Sequence, residues 1–194
     1  MGQACGAGRD GSRCSRHDCA VTSVMGDQSC PYASAMNPLA RLARFIGTKR
    51  WLMKSEPLIP CIETFLAWLT GGWVSVLRIA GLPGLRLTVL GRKSGQPRTT
   101  NLLCAPYQDG FLVNGSNWGH PKHPVWTANL MAADTAEVVY CGRTLTVRAK
   151  QATGADRARL WPVLLDVWPG YRMEHEMSGR DSRVFLLEPV SDGK

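Results

Sequence analysis

The sequence predicts a mainly β fold, a compact barrel with flanking helices. Short apolar runs recur from residue 85 onward between Gly, Pro and Asp-Gly breaks. Two of the gaps are short enough to be hairpins, and only two stretches in that region carry a helical rather than a strand period. Arg86 to Leu90, Thr99 to Ala105 and Gly110 to Asn114 are the first expected strands, the last two turning at Asp109-Gly110. His123-Pro124 then leads into a helix over Val125 to Met131, with proline where a first turn tolerates it. Ala136 to Cys141 and Thr144 to Lys150 form a second hairpin, with its turn expected at Gly142-Arg143. Thr153-Gly-Ala-Asp156 has the pattern of a capping box and opens a helix with Leu160, Leu164 and Val167/Trp168 on one face, bent at Pro162. Val184 to Leu187 closes the barrel.

Three regions precede or make up this fold. Residues 1–35 are rich in Gly, Ser, Asp, Arg and Cys without an apolar period, and are expected to be a disordered extension. A start assigned too far upstream, with translation beginning at Met25 or Met36, would account for them. Residues 36–80 form a basic helical arm in which Leu39, Leu42 and Phe45/Ile46 are interleaved with Arg41, Arg44, Lys49 and Arg50. Residues 81–194 are the barrel domain. The net charge of +8 is concentrated early: residues 1–55 hold 8 Lys/Arg against 3 Asp/Glu, leaving 15 against 12 for the rest. Such an arm suits an anionic membrane surface or a nucleic acid.

Seven cysteines at irregular spacings, an odd count, and no apolar leader point to reduced thiols and a cytoplasmic protein. Cys61, Cys104 and Cys141 lie in apolar surroundings and read as buried structural thiols. Thr64 to Leu77, the longest charge-free run near the middle of the chain, has only 14 residues. It is too short to span a bilayer; it suits either peripheral contact with the inner face of the cell membrane or packing as a helix on the domain.

Several chemistries find no support. No Gly-x-Gly-x-x-Gly opens a helix after a strand, and no Gly-x-x-x-x-Gly-Lys-Ser/Thr is present. His120 and His123 are followed by prolines and lack a nearby carboxylate or thiolate, so no metal is expected there. The positive candidate is Gly91-Arg-Lys-Ser-Gly-Gln-Pro-Arg98, directly after the apolar run Leu85 to Leu90. Glycines permit close backbone approach, and Arg and Lys hold phosphate or carboxylate, so the turn could seat an anion or be a solvated hairpin. Without an evident catalytic dyad, a carrier cofactor is favoured.

Leu87-Thr-Val-Leu-Gly-Arg-Lys-Ser-Gly-Gln-Pro-Arg98, then Leu112 to Ser116, His123-Pro-Val-Trp126 and Asn129-Leu130 together resemble the deazaflavin (F420)-dependent nitroreductase and quinone reductase family of actinobacteria. The resemblance runs from about Arg50 to Pro189 and omits the first 35 residues. It implies a split β-barrel, of the FMN-binding split-barrel type, that binds coenzyme F420 and passes hydride to a quinone, a nitroaromatic or a similar acceptor. It assigns Arg92, Lys93, Ser94, Gly95 and Arg98 to the cofactor's phosphate and oligoglutamate tail. Gly115, Ser116 and Asn117 would line the deazaflavin ring, with Trp126 and Asn129 bracing it. Trp168, Tyr171 and Glu174 would meet the acceptor, and Ser116 and Tyr171 are the candidate catalytic residues, supplying a proton or polarising the acceptor oxygen. Trp168 and Glu174 stand where relatives carry a tyrosine-rich segment. A flavin such as FMN, or a fatty acid, in the same barrel is the alternative. A nucleic-acid module, for which no partner is expected, and a non-enzymatic membrane-surface protein are alternatives of another class. The oligomeric state is open.

Overall fold

The structure, a computed structural model, describes residues 38–47 and 81–190. The expected N-terminal extension and most of the helical arm lie outside them. Within the arm, α1 (Pro38–Gly47) is helical, with Arg41, Leu42 and Phe45 exposed. Its Arg44 guanidinium donates to the Asp166 carbonyl.

Six strands close into an antiparallel barrel: β1 (Gly84–Leu90), β2 (Pro97–Tyr107), β3 (Gly110–Gly115), β4 (Ala136–Tyr140), β5 (Arg143–Ala152) and β6 (Arg183–Pro189). Around the barrel the order is β1-β2-β3-β6-β5-β4, with β4 returning to β1. All six lie on the expected runs, and within each strand successive side chains point to opposite faces. Leu85, Leu87, Phe111, Val113, Val138 and Phe185 fill the interior. Leu112 and Val184 point outward and are buried under helices by Leu160, Leu164 and Tyr171. α2 (Val125–Ala132) follows β3, and α3 (Gly154–Val167) and α4 (Gly170–Ser178) follow β5.

Details of the turns differ from expectation. The β2–β3 turn residues are Gln108 and Asp109, since Tyr107 pairs with Gly110, and Gln108 adopts φ 50°. Gly110 opens β3 because a Cβ there would stand 2.1 Å from the Leu187 carbonyl oxygen. The β4–β5 turn is Cys141-Gly142, at φ 48° and 80°, the positive-φ pair that matches strand twist. Cys141 is disulfide-bonded and only partly buried, which corrects the expectation of a buried reduced thiol there. Cys104 is the buried free thiol expected, and burial pushes its ionisation far up. Thr153 makes no side-chain cap, and Asp156 instead pairs with Arg159 at 3.2 Å.

α4 has no counterpart among the expected elements. Pro169-Gly170 and the charged Glu174-His175-Glu176 read as a loop, yet the segment forms a helix. Tyr171 and Glu174, three residues apart on one face, are buried, and Gly179 at φ 62° ends it in the left-handed cap favoured by glycine.

Candidate functional site

Two structures meet at one end of the barrel. The first is the Gly91–Gln96 strap between β1 and β2, closed by the Gly91 N–H on the Gln96 carbonyl at 2.9 Å. The Ser94 and Gly95 amides donate to the Gly91 carbonyl at 3.1 and 2.7 Å, and Gly95 takes φ +65°. Arg92, Lys93, Ser94, Gly95 and Arg98 are all exposed. None of the three cations is ion-paired among the described residues. The strap's backbone is anchored, since the Arg92 N–H donates to Oδ1 of buried Asn129 at 3.2 Å. Asn129 therefore holds the strap, while Trp126 packs on the barrel core against Phe185, ring centroids 5.8 Å apart.

The second is the loop leaving β3. Asn117, Trp118 and Gly119 are three consecutive left-handed residues, at φ 57°, 56° and 76°. A non-glycine residue in that region costs about 1–2 kcal/mol, and such strain gathers at functional sites. Surrounding contacts hold it: Asn117 Nδ2 donates to the Lys122 carbonyl at 2.9 Å, and Gly119 packs against Glu174 and Met177 of α4. Arg180, just beyond α4, is the clamp. Its guanidinium donates to the carbonyls of His120 (3.1 Å), Ser116 (2.9 Å) and Lys122 (3.1 Å), with longer contacts to Gly115. It also donates to His123 Nδ1 at 2.8 Å. That nitrogen must be unprotonated to accept, in keeping with burial and the nearby Arg180 and Arg183 charges, which lower the His123 pKa. Gly115 lies tight against Thr127, which receives Arg183 Nη1 at 3.1 Å.

Between loop and helix sits a buried polar cluster. Trp168 Nε1 donates to Glu174 Oε1 at 3.1 Å, and the Ser116 hydroxyl lies close enough to the same carboxyl to pull its pKa down. Glu174 is 3% exposed. Its burial raises its pKa, against the opposing pull of the Ser116 and Trp168 hydrogen bonds. Burial and the neighbouring Glu174 likewise hold the Tyr171 hydroxyl protonated to higher pH. Ser116, Trp168, Tyr171 and Glu174 thus converge on one side of α4, while Arg92, Lys93 and Arg98 belong to the strap. Sequence reading passed over Arg180, which one arginine after a glycine does not betray, and Asn114, a polar residue ending an apolar strand.

A six-stranded antiparallel barrel with an exposed cationic strap and a buried acid beside a strained loop defines a cofactor-binding split barrel. A sequence profile of the F420H(2)-dependent quinone reductase family matches residues 68–189, and the chain belongs to that family. It is 39% identical over 90 residues to an F420H(2)-dependent quinone reductase of Mycobacterium tuberculosis, covering 45% of this chain and 60% of that protein. A second protein of the same organism and family name is 29% identical over 108 residues, covering 56% of this chain and 91% of that one. The chain thus spans about three fifths of the first relative's length. The solved structure of an F420-H2 dependent reductase, FDR-A, superposes with a TM-score of 0.51 at 28% identity, over 55% of this chain and 94% of that one.

Proposed function

We propose that this protein is an F420H2-dependent oxidoreductase that reduces a quinone or a related oxygen-bearing acceptor. The observation that carries the reading is the strap: unpaired Arg92, Lys93 and Arg98 on a backbone pinned by Asn129, within the stretch that matches the family. These residues fit the cofactor, because its phosphate and oligoglutamate tail is a chain of negative charges and the strap offers a fork, a point charge and open space at Gly95. When bound, the reduced deazaflavin supplies hydride.

The chain's own residues supply the rest. Gly115, Ser116 and Asn117 present backbone on the ring side, held by Arg180. An acceptor that takes hydride also needs a proton at its oxygen. Tyr171, protonated well beyond neutral pH, serves as a hydrogen-bond donor that polarises this oxygen. Ser116 hands over its hydroxyl proton and regains one from Glu174, whose burial keeps it protonated to higher pH than an exposed glutamate. Trp168 fixes the orientation of that carboxyl. The departure of Trp168 and Glu174 from a tyrosine-rich pattern thereby gains a role.

Titrating the protein with oxidised F420 and separately with FMN, then following F420H2 oxidation by menadione, tests this. Tighter binding of F420 and acceptor-dependent oxidation are expected; preference for FMN overturns it. Peripheral membrane contact through α1 is supported by exposed Leu42 and Phe45 beside Arg41, and flotation with anionic liposomes before and after deletion of residues 1–80 checks it. No helix among the described residues is long and apolar enough to cross a membrane.

A further inference from the structure

We propose that Asn114 and Ser182 form a buried subsite, beneath α4, that receives a neutral oxygen substituent of the acceptor. This rests on the quinone reductase reading above and deepens it. Asn114 is 7% exposed, and among the described residues neither its Nδ2 nor its Oδ1 has a hydrogen-bond partner. The Ser182 hydroxyl, in a residue 5% exposed, is likewise unpartnered. Buried carboxamides almost always find partners, and an apolar side chain on this row would bury without loss.

The register places Asn114 on the helix-facing row, one strand away from the entry to β6 that Ser182 occupies. Asn114 pairs with Val184 and Leu112 with Leu186, and directly opposed residues share a face. Leu112 and Val184 lie under the helices, so Asn114, two residues beyond Leu112, faces the helices too. Ser182 is buried just before β6, whose first residue Arg183 pairs with Gly115 next to Asn114, and its carbonyl receives Arg157 Nε of α3 at 3.5 Å. α4 runs over this row. Tyr171 packs with Leu112 and Val184, whereas Glu174, one turn on, lies beside Ser116. Asn114 lies midway between Leu112 and Ser116, beneath the edge that Tyr171 and Glu174 share.

The chemistry selects the ligand. A carboxamide donates through Nδ2 and accepts through Oδ1, and a hydroxyl does both. Together they suit a carbonyl oxygen before reduction and the hydroxyl that replaces it afterwards. The carbonyl accepts from Nδ2 and from the Ser182 hydroxyl, and the hydroxyl formed on reduction adds a donor for Oδ1, so the subsite pairs fully only with the reduced oxygen. It is separate from the cationic strap and from the proton-carrying Ser116.

The test measures menadione binding to the cofactor-free protein by tryptophan quenching, in wild type, Asn114→Leu and Ser182→Ala, with oxidised F420 binding measured in parallel. Asn114→Leu is expected to weaken menadione about tenfold, and Ser182→Ala about threefold, with F420 affinity within about twofold of wild type. If Asn114→Leu does not fold, Ser182→Ala alone decides. Unchanged menadione affinity in a folded variant overturns the subsite and leaves the quinone reading standing, assigning Asn114 a structural role. A wild type that binds F420 but no menadione brings down the quinone reading and the subsite with it.

Discussion

Oδ1 of Asn129, on α2, accepts the backbone N–H of Arg92 at 3.2 Å, joining the cationic strap to a helix 37 residues further along the chain. Side chains in the strap are exposed, but its backbone is tied to the core through one buried amide. The strap is thus set in place before any anion reaches it, which lowers the ordering cost of binding.

Asn129 is expected to act through the strap. Asn129→Leu orphans the Arg92 N–H and should weaken F420 binding about fivefold, in line with the loss of one hydrogen bond. Asn129→Asp keeps an acceptor but adds a negative charge near the tail site, so its defect should shrink with added salt while that of Asn129→Leu persists. Isothermal titration at two ionic strengths checks this; equal salt dependence for both variants would argue against it.

The strap cations should contribute as charges. Arg92→Ala, Lys93→Ala and Arg98→Ala are each expected to weaken F420 about tenfold, and the salt dependence of binding should flatten with each charge removed. Thermal unfolding should barely move, because exposed, unpaired side chains add little to stability. A large fall in Tm with unchanged affinity would make the strap a structural turn.

The sequence disclosed the barrel because its strands are short apolar runs cut off by Gly, Pro and Asp-Gly breaks, and in β1 Leu85, Leu87 and Val89 also alternate with polar neighbours. The strap was legible for a similar reason: its chemistry is local, three cations and two glycines in eight residues. What sequence could not give is what the fold brings together. Glu174 reads as one acid in a charged loop until α4 turns it inward against Ser116 and Trp168. Arg180 reads as one more surface arginine, although it gathers carbonyls from a segment about sixty residues earlier. Asn129 fits a cofactor brace by its position in a family motif, and only the geometry displays the backbone it holds.

Arg180 is expected to be irreplaceable by lysine. Its planar fork reaches the Ser116, His120 and Lys122 carbonyls and His123 at once, whereas an ammonium can satisfy only part of that set. Both Arg180→Lys and Arg180→Ala should destabilise the fold by about 2 kcal/mol or more, read by chemical denaturation, and lower turnover by loosening the left-handed turn at Asn117 and Trp118. Full rescue by lysine would reduce the clamp to a simple charge effect.

His123 should make this clamp sensitive to acid. Its folded pKa lies below its ordinary value of 6.5, so its contribution to stability is complete above that value and is lost as pH falls through the folded pKa. Protonation puts a hydrogen on Nδ1 and sets it against the Arg180 guanidinium. His123→Asn, which cannot charge, should unfold less readily than wild type relative to its own neutral-pH stability when the pH is lowered. Parallel Tm–pH curves for the two proteins would remove His123 from the clamp.

Glu174 carries the opposite sign. Its pKa is raised above the ordinary 4.5, first by burial, so the folded state binds its proton more tightly than the unfolded chain does. The resulting stabilisation is fully present below 4.5 and is lost as pH rises through the folded pKa. Glu174→Gln retains an oxygen for Trp168 Nε1 and removes the titration, so its Tm should gain on wild type as pH rises from 4.5 through the folded pKa and level off above it. Turnover should respond differently. If Glu174 recharges Ser116, wild-type kcat falls as the carboxyl deprotonates, whereas Glu174→Gln loses that limb and runs about a hundredfold slower at its optimum, the usual worth of a positioned proton donor. The two measurements separate the two roles. A stability gain with normal kcat and an unchanged pH–rate profile would leave Glu174 as a tether between the loop and α4, and the proton would then have to reach Ser116 by another path.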